Sequence, residues 1–212
     1  EQIPWVDRLV GDDTTNPTPS FIGNTINSTF FYNNRFGVLS EDNIIFGVAN
    51  DAYNFFAKSA LTQIDSDPID LSVSSVRPVV LSDVLPSPQG LTIFSARQQF
   101  QVFAPNASTI TPSSAVVRSL SNYEMDTNIA PADIGTSAVF ISKVPGYSKV
   151  FNLELQDIET NPVVIDISKP VLEWIPEGID DLTVSAQNSV IMLVDRDTSY
   201  LYLFRYYNNG EK

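Results

Sequence analysis

Asp65, Asp67 and Asp70 lie within one short segment, and carboxylates set so close could serve a calcium ion, which takes carboxylate and carbonyl oxygens. An EF-hand loop needs glycine at its sixth position and glutamate at its twelfth; counted from Asp65, those positions hold Asp70 and Val76. The pattern fails, and a structural acidic turn is the better reading of Asp65-Ser-Asp-Pro-Ile-Asp70. Glycoside hydrolysis needs two carboxyl groups held about 5 to 9 Å apart across a cleft. The candidate pairs are Glu124 with Asp126 and Asp180 with Asp181, and neighbours on a strand point to opposite faces. Neither pair stands out in a chain that carries 25 acidic residues.

The sequence contains no His and no Cys, which removes imidazole catalysis, thiolate chemistry, disulfides and the usual zinc sites together. A serine nucleophile would lack an imidazole base, and a Ser–Lys pair would require burial that no local pattern indicates. Neither Gly-x-Gly-x-x-Gly nor a lysine-bearing phosphate loop is present. The triplets Asn27-Ser28-Thr29 and Asn106-Ala107-Ser108 fit a glycosylation acceptor, a pattern frequent by chance. No catalytic, cofactor-binding or metal-ligating residue is assigned, and no cofactor is expected. A non-enzymatic role is expected.

The 212 residues carry a formal net charge of −13. Such a field repels phosphate backbones and argues against tight nucleic-acid binding through a basic patch. A 43% hydrophobic fraction is ordinary for a globular protein. No apolar run is long enough for a membrane-spanning helix, so membrane insertion by this segment is not expected. The chain opens at Glu1 without an initiator Met and is read as a processed or excised piece.

The elements that would position any site are strand pairs. Four hairpins recur: Phe36 to Ser40 with Ile44 to Phe46, Leu91 to Ser95 with Gln99 to Phe103, Ala138 to Ser142 with Lys149 to Leu153, and Val190 to Val194 with Tyr200 to Phe204. Their starts are separated by 55 (91−36), 47 (138−91) and 52 (190−138) residues. Strand pairs repeating at roughly 40 to 50 residues are the mark of propeller blades. Further strands are expected at Leu71 to Ser75, Val79 to Leu85, Ala115 to Leu120, Val163 to Ile167 and Leu182 to Ser185. Asp51 to Ile64 is the best candidate for a short helix. In Tyr200 to Phe204 aromatic residues alternate with leucine, so that strand is expected to be covered on both faces.

Gly11 to Gly23, with two prolines and a run of Asp, Thr and Asn, is an extended, turn-rich loop. The aromatic residues between Phe30 and Phe56 are read as packing rather than as a ligand platform. The fold class is all-β: a propeller-like array of about four antiparallel blades, part of a larger propeller. Residues 1–25 form an extended arm and residues 26–212 the propeller-like domain.

Five stretches resemble, in order, tail tubular protein B, the nozzle protein family of short-tailed, podovirus-type double-stranded DNA phages. They are Gly11 to Phe21, Phe30-Phe-Tyr-Asn-Asn-Arg-Phe-Gly-Val-Leu-Ser40, Asp65 to Ser74, Leu91 to Phe100, and the pair Val171 to Pro176 and Tyr200 to Tyr206 near the end. Residues 122–170 match poorly. The resemblance implies a fragment of a longer virion tail protein, and a homohexamer below the portal and its adaptor tail tube protein. It also implies tail fibres docked outside and genomic DNA passing through the lumen without specific binding. The arm is expected to reach a neighbouring subunit. The alternatives are a carbohydrate-binding or glycan-degrading propeller of a tail or cell-surface protein, and a bacterial sensor propeller.

Overall fold

The computed structural model describes residues 3–87, 89–105, 109–135, 137–154, 162–171 and 173–206. Its strands fall into four antiparallel sheets, each an up-and-down meander in which sequence neighbours pair. The first is β1 (Ile26–Tyr32), β2 (Arg35–Ser40), β3 (Asn43–Phe46) and β4 (Ile69–Ser72). The second is β5 (Leu81–Ser87), β6 (Gly90–Ser95), β7 (Gln99–Phe103) and β8 (Val116–Ser121). The third is β9 (Ala132–Asp133), β10 (Ser137–Val144), β11 (Tyr147–Glu154) and β12 (Val163–Asp166). The last is β13 (Asp181–Ser185), β14 (Val190–Asp195) and β15 (Tyr200–Arg205). The four hairpins of the sequence repeat are therefore the second and third strands of successive sheets.

Local chemistry explains the turns. Asn33 and Asn34, at φ 49° and 57°, connect β1 to β2 in a two-residue loop, and asparagine tolerates this left-handed backbone. Pro145 and Gly146 do the same between β10 and β11, with Gly146 at φ 89°. Gly37 has a different duty. A Cβ there would lie 2.2 Å from the Phe30 ring, because Phe30 folds across the glycine paired with it.

Two compact units divide the chain: Glu1–Ser95 with Gln99–Ser119, and Ala96–Gln98 with Leu120–Lys212. In the first unit Leu39, Ile44 and Phe46 of one sheet share a core with Leu91, Ile93 and Phe100 of the next. In the second unit Val139, Ile141 and Val150 share one with Leu182, Ile191 and Leu193. Each fully buried aliphatic or aromatic side chain stabilises by about 1.5–3 kcal/mol, so these two seams dominate their units. The opposite face of the first sheet is also covered: Val38 and Ile45 pack with Phe55, Phe21 and Phe36.

Two expectations are corrected. Residues 51–64 hold no helix. The Asn54 side chain accepts the Phe56 N–H at 2.9 Å, and the Asn54 carbonyl accepts from Val48, which diverts the backbone from a helical ladder. On β15, Tyr202 and Phe204 pack on the core while Leu201 and Leu203 are exposed, so one face is covered rather than two. β15 is the edge strand of its sheet among the described residues. No helix among the described residues is long and apolar enough to cross a membrane.

Candidate functional site

Arg35 opens β2 and is 2% exposed. Its Nη1 donates to the main-chain carbonyls of Asp67 (2.7 Å), Gly47 (2.8 Å) and Ser66 (3.3 Å), and Nη2 donates to that of Asp65. Burial draws the guanidinium pKa down, and the charges of Asp67 and Asp65 oppose that drift. A buried charge costs several kcal/mol unless its donors are satisfied, and here carbonyls from two loops satisfy them. The acidic turn is thus organised around an arginine. The carbonyl oxygens that a calcium site would use point at a cation the chain already owns.

The same turn holds the arm. Asp70 Oδ2 accepts the Ser20 N–H at 2.9 Å. Asn16, 3% exposed, exchanges two bonds with Ala57 in the manner of a strand bridge: its Nδ2 donates to the Ala57 carbonyl and its Oδ1 accepts the Ala57 N–H, each at 3.0 Å. Asp12 shapes the bend that presents Asn16. Its Oδ1 accepts the N–H groups of Thr15 (2.9 Å) and Thr14 (3.0 Å). Those bonds, led by Thr15, hold its carboxyl below the usual carboxylate range. The Gly11–Gly23 segment is therefore seated on its own unit.

Several of the remaining sequence candidates bond within the fold where they are described. Burial pushes Asp126 up, but the Lys143 ammonium at 2.8 Å and the Asn128 N–H and amide outweigh it and leave its carboxyl low. Glu124 is exposed. Asp180 Oδ2 accepts the Arg196 N–H at 2.8 Å, while Asp181 faces the Arg196 guanidinium at 3.7 Å. Both acid pairs thus include carboxylates committed to fixed partners. Asn27 Nδ2 donates to the Leu81 carbonyl at 2.9 Å, a structural use of the first glycosylation triplet. Asn106 to Ser108 lie outside the described residues. Among the described residues no three acidic side chains gather as a metal site would require.

Sequence reasoning missed Arg35 and Asn16. A lone cation in the apolar run from Phe30 to Ser40 was a usable signal for Arg35. Nothing local marks Asn16, whose partner lies 41 residues away.

Fixed pairings of this kind hold distant segments of the chain together. Fold and junction together define an all-β protein assembled from repeated antiparallel sheets. The family model for the bacteriophage nozzle protein matches residues 1–212, and the chain belongs to that family. It is 31% identical over 210 residues to the tail tubular protein gp12 of Escherichia phage T7, an alignment covering 97% of this chain and 26% of that protein. The chain thus spans about a quarter of the length of the relative it matches. Membership places it in the tail of a phage virion, as a structural component.

Proposed function

We propose that this chain forms part of the wall of a homohexameric tail nozzle through which genomic DNA leaves the particle. The whole-chain family match is the observation that carries this reading. The four sheets are taken as consecutive blades of a propeller-like array belonging to a larger propeller. Their common meander order and the core that the sheets share within each unit support that view. So does the open face of β15, which presents Leu201 and Leu203 where another blade would stack. Residues 1–25 serve as an arm fastened to the body formed by residues 26–212.

The chemistry asked of such a wall is restraint. A conduit should not hold DNA, and each Lys or Arg contact to phosphate would add salt-dependent affinity. A net charge of −13 favours passage over adhesion. The portal-adaptor tail tube protein and tail fibres are the proposed partners of the complete protein. The test is electrophoretic: the full-length protein should leave duplex DNA unshifted at 50 mM salt, and tight binding there would overturn the passive-wall reading.

A further inference from the structure

Three of the four sheets carry four strands in meander order, and the last carries three among the described residues: β13, β14 and β15. Matched to the others, β15 takes the place of β3, β7 and β11, the third strands, each of which lies between two neighbours. Its composition suits that inner place. Tyr200 to Phe204 holds three aromatic residues and two leucines, with no charge, no proline and no shift of register against β14. Strands that stay at an edge are blunted by such devices, because a row of free N–H and C=O groups invites another strand.

The surroundings of β15 do not match its composition. β3, β7 and β11 have no exposed residue, whereas Tyr200, Leu201, Leu203 and Arg205 of β15 are exposed. The free edge can be located residue by residue. The Tyr206 N–H donates to the Ser189 carbonyl at 3.0 Å, and main-chain groups alternate in direction along a strand. The even-numbered residues of β15 therefore turn their N–H and C=O groups toward β14. Leu201 and Leu203 turn theirs away, and among the described residues no strand lies beside them on that side.

Chain order selects the occupant. In each complete sheet the fourth strand is the next one in sequence after the third. β4 begins 23 residues after β3 ends (69−46), β8 begins 13 after β7 (116−103), and β12 begins 9 after β11 (163−154). The same intervals from Arg205 put the next strand's first residue between positions 214 (205+9) and 228 (205+23), beyond Lys212. The alignment covers 26% of the relative that the chain matches, so most of a protein of that length lies outside these residues. A strand tethered by so short a connection also arrives at an effective concentration of about millimolar, an advantage that no separate chain has.

We infer that β15 is an inner strand whose free edge is taken by the segment of the same polypeptide that follows Lys212. That segment runs antiparallel to β15 and bonds to the main chain of Leu201 and Leu203. The inference rests on the reading of the four sheets as repeats of one unit, and it does not depend on a ring.

The test uses the full-length protein without other cysteines, carrying Leu203→Cys labelled with a benzophenone, as a mixture of light- and heavy-isotope chains. Photo-cross-links from position 203, mapped by mass spectrometry, should stay within one chain. They should fall between positions 214 and about 234, the latest start plus a strand of about six residues. In the unlabelled protein the Leu201 and Leu203 amides should exchange at least about tenfold more slowly than unstructured amides. Cross-links to preceding residues, to another copy or to another tail protein would overturn the inference, and so would unprotected Leu201 and Leu203 amides. Electron micrographs in which the four sheets do not stand as successive blades would instead overturn the propeller reading, while the cross-links still decide which segment completes the last sheet.

Discussion

The Arg35 guanidinium meets the Asp67 carbonyl at 2.7 Å, so a side chain at the start of β2 fixes a turn 32 residues further along. Asp70 of the same turn holds Ser20 of the arm, and two of the motifs read from the sequence are thereby fastened to a third. The junction explains why an acidic turn and a lone arginine belong together: each is unsatisfied without the other.

Replacing Arg35 with Leu should cost the first unit about 3–5 kcal/mol, because buried carbonyls lose their donor together with a well-packed side chain. Arg35→Lys should recover only part of this, since an ammonium cannot span carbonyls from two loops. Urea unfolding followed by Trp5 fluorescence, with Trp174 replaced by Phe, isolates the unit. A loss below about 1 kcal/mol would contradict the role given to Arg35.

Asn16→Ala should loosen the arm without unfolding the sheets. The Ala57 N–H loses its acceptor, and the carbonyls of Val10 and Ala57 lose their donor. Hydrogen exchange at Ala57 and Ser20 should speed up about tenfold or more, while β2 and β6 amides stay protected.

Two aspartates should show opposite pH behaviour. Burial raises the Asp83 pKa above 3.8, so its ionised form destabilises the fold at neutral pH. Asp83→Asn should therefore stabilise at pH 7, with the gain fading as pH falls through the raised folded value toward 3.8. The Asp126 pKa is depressed below 3.8, so its contribution is present above 3.8 and is lost as pH falls through the lower folded value. Asp126→Asn should remove stability at pH 7 and flatten that acid limb. Thermal melts across pH 2 to 8 check both signs.

Gly37→Ala should destabilise by about 1–3 kcal/mol, since the added methyl would drive the Phe30 ring off the strand. Combining it with Phe30→Leu should lessen the additional cost of the methyl. Strict additivity in chemical denaturation would contradict the contact.

The sheet repeat was legible because strand pairs with short polar turns recur at a near-constant interval, as β2–β3, β6–β7, β10–β11 and β14–β15 do. Flanking strands were harder. β9 spans two residues, and β4 begins at Ile69 inside what reads as an acidic turn. Residues 51–64 misled because Ala52, Phe55, Phe56 and Ala60 have helical spacing while Asn54 and Ala57 bond elsewhere. The acidic turn reads as structural from its sequence, but its link to the arginine gives no such sign, since that bond depends on a distant pairing. β15 reads as doubly covered from composition, yet coverage of its outer face must come from beyond its own sheet.

Electron microscopy of the full-length protein tests the central claim most directly. The expected result is a sixfold ring with an open lumen, whose wall contains the four sheets. A monomeric particle, or a ring whose wall excludes the four sheets, would contradict the account.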